Sequence, residues 1–261
     1  AAVFVLWKST DLFESLERRF YDVASTQSAR QPSDRIAVIA IDDTSIANIG
    51  RWPWARDVHA ELIDKLAAAK AKTIAYNAFF FEPQTDRGLV FIRKIKEALG
   101  ADGHSAVGAL LAEAEQSLDS DGKLAASMAK AGNVLVPSAF VLGDPVGRAD
   151  RELPAEVARS TVDERNGFAL SVLRGQYPLE AIGRASAGIG HLNVTNDPDG
   201  AVRADPLLVN YYGRGVPSMA LLAAASSLNL GPADIRSVPG EGVQLGKLRI
   251  HTDDAARILP Q

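Results

Sequence analysis

The sequence predicts an α/β fold: a mixed, partly parallel central sheet with helices on both faces, plus an N-terminal amphipathic helix. Three observations predict it. Residues 35–41 are a β-branched run, apolar on both faces apart from Arg35, as strands in the middle of a parallel sheet are. Residues 57–70 follow with Val58, Leu62, Leu66 and Ala69 at helical spacing. Thr73–Phe80 then reads as a second strand, and a strand-helix-strand of this length is a right-handed parallel crossover.

The other elements follow in order. Residues 10–24 carry Leu12, Leu16, Phe20 and Val23 on one stripe behind a Thr10 or Asp11 cap, which predicts a helix. Gln27–Ser33 is a polar linker. Past the second strand, the sequence predicts one helix through Leu89, Ile92, Ile95 and Leu99 and another through Val107, Leu110, Leu111, Ala114 and Leu118. A third carries Leu124, Met128 and Ala131 between a cap at Ser120 or Asp121 and a stop at Gly132. Asn133–Pro137 reads as a strand ended or edged by its proline. Residues 143–177 are polar and weakly periodic, a loop with a short helix near 166–174. A short helix is expected over Pro178–Ala185, and a strand over Gly188–Val194. The turn Asn196-Asp197-Pro198-Asp199-Gly200 leads into Val202–Tyr212, expected to pair back antiparallel. A small-residue helix spans Ser218–Asn229, and Val243–Ile250 is a hairpin about Gly246-Lys247. The elements interleave as one domain, 34–261, behind a membrane-proximal segment and helix, 1–33.

Composition excludes several function classes. A formal net charge of −4 without a basic stripe argues against nucleic acid. The absence of cysteine excludes disulfides, thiolate metal sites and cysteine nucleophiles. Ala1–Trp7 is apolar, ends on an aromatic and is followed by Lys8. That pattern reads either as the interfacial end of a membrane helix or as an ordinary buried element.

Candidate chemistry gathers where strands end. Asp42 and Asp43 close the first strand, and Glu82 and Asp86 follow the second, on the edge where α/β proteins place their sites. Close carboxylates repel by roughly 1–4 kcal/mol per pair, so a cation, an arginine or a proton must offset them. The alternative is that Asp43 or Thr44 caps a helical turn at 44–49 and the others face water. Between the strands, Arg51, Trp52, Pro53, Trp54 and Arg56 form an aromatic-cationic loop. It is either a ligand or partner surface or a lid with Arg51 or Arg56 paired to Asp42 or Asp43. His191 and Asn193 alternate, so they share a face, and precede Asp197, Asp199 and Arg203. Asp197 and Asp199 offer oxygen ligands for a divalent cation such as calcium, although the remaining ligands of a calcium loop are missing. No dinucleotide, P-loop, nucleophile-elbow or zinc-protease motif is present. A ligand-binding domain, a metal-dependent hydrolase built on the acidic strand ends, and a dimerisation or partner-binding module are the readings these residues leave open.

Several ordered motifs resemble one family. They are Ala40-Ile41-Asp42-Asp43-Thr44-Ser45-Ile46, Gly50-Arg51-Trp52-Pro53-Trp54-Ala55-Arg56, Phe81-Glu82-Pro83, Gly190-His191-Leu192-Asn193, Asp197-Pro198-Asp199-Gly200-Ala201-Val202-Arg203 and Pro217-Ser218-Met219-Ala220-Leu221. Together they are similar to the type-two CHASE domain, a bacterial extracytoplasmic sensory module of cyclases, histidine kinases and other receptors. The second strand departs from the family, carrying Asn77 where an Asp is common, which removes a charge from the acidic edge. The resemblance implies a binding module, not a catalyst, with no cofactor of its own. It also implies a periplasmic domain tethered through flanking membrane helices, a small ligand or partner protein, homodimers in the parent receptor, and a transmitting role for the 10–24 helix.

Overall fold

A computed structural model describes residues 11–27, 31, 33–84, 86–99, 106–149, 151–165 and 167–259. They fall into two compact units, one within residues 1–50 and the other Arg51–Leu259. The N-terminal apolar run, its Lys8 and Thr10 lie outside the described residues. No described helix is long and apolar enough to cross a membrane.

The first unit holds α1 (Asp11–Gln27) and α2 (Asp43–Ile49). Along α1, Leu16, Phe20 and Val23 of the predicted stripe are exposed. Residues 36–42 form no strand, and Val38 is 87% exposed. The predicted parallel crossover therefore lacks its first strand. β-Branched composition supplies local preference only; a strand also needs a neighbour for its N–H and C=O groups, and among the described residues none is hydrogen-bonded to it.

In the second unit, α3 (Arg56–Ala68) matches its prediction and leads to β1 (Ile74–Ala75), far shorter than the predicted 73–80. The Tyr76 amide still donates to the Leu135 carbonyl at 2.9 Å, and the ladder then ends. The predicted helices are α4 (Arg87–Leu99), α5 (Ala106–Leu118) and α6 (Ser120–Ala131). α6 stops at Gly132, whose φ of 69° is left-handed and favours glycine. The central strand β2 (Val134–Leu142) continues past Pro137 instead of ending there. Its carbonyls at Val134 and Ser138 face the Gly188–Leu192 side, whereas that at Leu135 faces β1. Pro137 thus faces the β1 side, beyond the last β1 pair at Leu135 and before the next antiparallel pairing begins at Ala139. Its missing N–H interrupts no ladder bond.

The weakly periodic stretch contains α7 (Ala155–Ala158), β3 (Val162–Asp163) and β4 (Leu170–Gln176). β4 replaces the helix predicted near 166–174 because it pairs antiparallel with the end of β2 and buries Val172. Next come α8 (Glu180–Ala185) and β5 (Gly188–His191), the latter parallel to β2. β6 (Asp205–Pro206), β7 (Leu208–Tyr211) and β8 (Arg214–Pro217) precede α9 (Met219–Ser227). β7 pairs with β4 and β8; of the predicted return pairing only a bridge between Thr195 and Ala204 forms. β9 (Ile235–Val238), β10 (Gly242–Leu245) and β11 (Leu248–Ile250) make a separate three-stranded sheet containing the predicted hairpin, and β12 (Arg257–Ile258) pairs with β6.

The main sheet runs β1-β2-β4-β7-β8-β3, with β5 also on β2, and mixes parallel and antiparallel pairs. Alternation along β2 divides the core. Val134 and Val136 join Ile63 of α3, Leu124 and Met128 of α6 and Ile182 of α8. Leu135 joins Leu221, Leu222 and Ala225 of α9. Helices therefore cover both faces. Each such fully buried aliphatic side chain contributes about 1.5–3 kcal/mol before the entropy of ordering it. The Gly-Ile-Gly of β5 serves this packing: a Cβ on Gly190 would lie 2.8 Å from the Met219 backbone nitrogen.

Candidate functional site

The Trp52–Arg56 loop packs as a lid over its own aromatic cluster. Trp54 is buried, and the Trp52 ring meets Trp54 and His59 edge-on at 5.4 and 5.6 Å. The Trp52–Pro53 peptide bond is cis. His59 is buried one helical turn into α3, where its Nδ1 lies 2.5 Å from the Tyr76 hydroxyl. Burial, then the nearby Arg56 charge, holds the imidazole below its ordinary pKa. Burial pushes the Tyr76 phenol up to about 12, so both groups are neutral at pH 7.

Arg56 binds this cluster to what lies beside it. Its guanidinium sits 4.5 Å from the Phe80 ring centre, within cation–π range. Nε donates to Asp121 Oδ1 at 3.1 Å, and Nη2 to the Glu82 carbonyl at 3.1 Å. The Gln84 amide donates to Asp121 Oδ2 at 2.8 Å, and the Arg56 amide donates to Gln84 Oε1 at 2.7 Å. Ser120 Oγ donates to the same Gln84 oxygen. These contacts form a closed ring joining the start of α3, the 82–84 segment and the start of α6. The arginine-carboxylate pair of this loop, expected to Asp42 or Asp43, is made by Arg56 to Asp121 instead.

A cavity of about 450 Å³ opens against this ring, in the usual size range of small-molecule sites. Pro83, Leu89, Leu179 and Ala181 give it apolar wall, and Gln84, Asp119 and Asp121 bring polar groups from the ring and the α6 start. Arg93 of α4 and Glu180 and Arg184 of α8 complete it. Asp119 is the N-cap of α6, with Oδ1 accepting from the Gly122 amide at 3.0 Å.

The remaining predicted residues are dispersed. Asp42 is the N-cap of α2: its Oδ1 accepts the Ser45 amide at 2.8 Å and the Ser45 hydroxyl at 2.6 Å, which lowers its pKa. Asp43 is the first residue of that helix. Arg51, Asn77 and the Glu82 side chain are exposed. Asp86 Oδ1 accepts from the Gly88 and Leu89 amides at the start of α4. Asn193 pairs through both side-chain groups with the backbone of Phe140, extending the ladder beyond β5. His191 is fully buried, its Nδ1 accepting from the Asn193 amide. Arg203 lies between Asp197 and Asp199, with contacts of 2.7, 2.9 and 2.8 Å. Among the described residues no group of three or more His, Asp or Glu is placed to hold a metal ion.

Sequence reasoning missed most of the cavity. Gln84, Arg93, Asp119, Asp121, Glu180 and Arg184 come from well-separated stretches. The available signal was the Asp119-Ser120-Asp121 run at the α6 start, in which the sequence predicts Ser120 or Asp121 as the cap and Asp119 is the cap observed.

The described unit is an α/β domain with a largely apolar cavity lined by a few charged and polar side chains. The chain belongs to the CHASE2 domain family, whose model matches residues 1–261. That family is a sensory module of extracytoplasmic receptors. No curated protein and no solved structure matches the chain significantly.

Proposed function

We propose that this chain is the ligand- or stimulus-sensing domain of a bacterial transmembrane signalling receptor. It lies on the periplasmic side of the inner membrane and regulates a cytoplasmic output such as an adenylate or guanylate cyclase or a histidine kinase. Residues 1–33 are the membrane-proximal segment, 34–261 the sensory domain, and the parent receptor works as a homodimer tethered through flanking helices. Family membership supports sensing, and the observation that carries the ligand reading is the cavity beside the Arg56–Asp121–Gln84 ring. A ligand touching Gln84 and Asp121 acts on a network that also fixes the first residue of α3. It shifts the receptor by its difference in affinity for the two signalling states.

The hydrolase alternative has less support, since Asp42 and Asp86 already engage the amides at helix starts. The domain needs no resident cofactor. A calcium ion at Asp197 and Asp199 would have to displace the Arg203 guanidinium that bridges them.

Placement is testable because the chain has no cysteine. Lys247, exposed at a hairpin tip, is replaced by cysteine in the full-length receptor. A membrane-impermeant maleimide should label Lys247→Cys in intact spheroplasts. Protection until the membrane is permeabilised would contradict the periplasmic assignment.

A further inference from the structure

We propose that the cavity takes a small zwitterion of the α-amino-acid type, with its carboxylate on Arg93 and Arg184, its ammonium on Asp119, and an apolar side chain against Leu89, Leu179 and Ala181. This rests on the reading of the cavity as the ligand site.

The charges around the wall differ in how far they are already satisfied. Asp121 has both oxygens occupied, one by Arg56 and one by the Gln84 amide. Arg93 donates through Nε to Glu115, but Glu115 is shared with Lys96 at 2.5 Å, leaving one cation in excess there. Among the described residues the Arg93 terminal nitrogens make no hydrogen bond. Arg184 is paired with Glu180 one turn away, and both side chains are mostly exposed. Such surface pairs are weak and exchange readily for a better-placed carboxylate. Asp119 uses Oδ1 to cap α6, while Oδ2 has no hydrogen-bond partner among the described residues.

Two guanidinium groups from α4 and α8 thus share the cavity wall with a carboxylate at the α6 start and with apolar side chains. A dianion such as phosphate would meet Asp119 and Glu180 in the same wall. A metal ion would find too few carboxylates and two arginines. A neutral sugar needs many neutral hydrogen-bonding groups, and Gln84, the amide of the wall, already accepts two bonds on Oε1. A molecule carrying one charge of each sign and an apolar portion satisfies what remains.

The test is titration calorimetry on the full chain with L-alanine, L-valine, L-leucine, L-methionine and L-phenylalanine. The best binder is then compared with its carboxamide and with its des-amino acid. Loss of either charged group should weaken binding about tenfold or more. Arg184→Gln and Arg93→Gln should weaken the amino acid and the des-amino acid, leaving the carboxamide unchanged. Asp119→Asn, which preserves an N-cap, should weaken the amino acid and the carboxamide only. Thermal denaturation of each variant reports its folding independently. Absence of binding by all five amino acids, or indifference to all three substitutions, overturns the proposal. Ala181→Trp, which adds an indole to the cavity wall, separates the two levels. Binding of inorganic phosphate or glucose that Ala181→Trp abolishes, with no amino acid bound, overturns the zwitterion but keeps the cavity as the ligand site. Amino-acid binding that survives Ala181→Trp overturns both.

Discussion

His191 sits where a strand leaves the ladder and cannot reach water. Its Nδ1 accepts the Asn193 amide at 3.2 Å, which puts the proton of the neutral ring on Nε2, and that atom is buried without a partner among the described residues. Burial depresses the imidazole pKa to about 3. As pH falls below the unfolded value of about 6.5, the unfolded chain takes up the proton first, so stability is full above that pH and drains away as pH drops towards 3. The slope from this one residue is about 1.4 kcal/mol per pH unit. His59, also depressed by burial, acts in the same direction. Urea denaturation of the full chain at pH 7, 6 and 5 should show this loss, and His191→Gln should remove most of it. An unchanged slope in His191→Gln would mean that the imidazole is not held neutral. The alternation predicts one shared strand face, but β5 ends at His191 and the Asn193 side chain instead pairs with the Phe140 backbone. What each does was not legible, because the Phe140 backbone that Asn193 bonds lies far away in sequence.

Among the elements, legibility follows how much of the driving force is local. α3, α6, α9 and the β10–β11 hairpin match their predictions closely, since helical periodicity, caps and a turn glycine lie within each segment. Strands are different, because their partners decide them. Residues 36–41 have the composition of a buried strand and form none, whereas the polar Leu170–Gln176 becomes β4 by pairing with β2. The Gly188-Ile189-Gly190 run looks in sequence like an incomplete nucleotide loop. Its role is steric: the α9 start approaches Gly190 too closely for a side chain, and a Cβ on Gly188 would press on Leu135 of β2. Gly190→Ala should therefore cost about 1–3 kcal/mol by overpacking against the rigid α9 start, measured by chemical denaturation. A neutral effect would show that α9 can shift without loss. The same dependence on distant partners hid the cavity, whose wall is drawn from the 83–84 segment, α4, the α6 start and α8. The Trp52–Arg56 loop was legible as a lid with an arginine seeking a carboxylate. The identity of that carboxylate, Asp121, was not.

Taken whole, the Arg51–Leu259 unit is a mixed sheet covered on both faces, with a small-molecule-sized cavity next to a hydrogen-bonded ring that reaches the buried aromatic cluster through Arg56. A sensory domain needs this combination: a site that a ligand can fill, and a rigid path from that site into the core. The direct measurement is an amide-resolved NMR titration of the full chain with a periplasmic metabolite extract, followed by the apolar amino acids singly. The account predicts chemical-shift changes centred on Gln84, Leu89, Asp121 and Ala181, spreading through Arg56 to His59, and abolished by Ala181→Trp. Changes that spare these residues and gather elsewhere, for example around Asp197–Arg203, would contradict it.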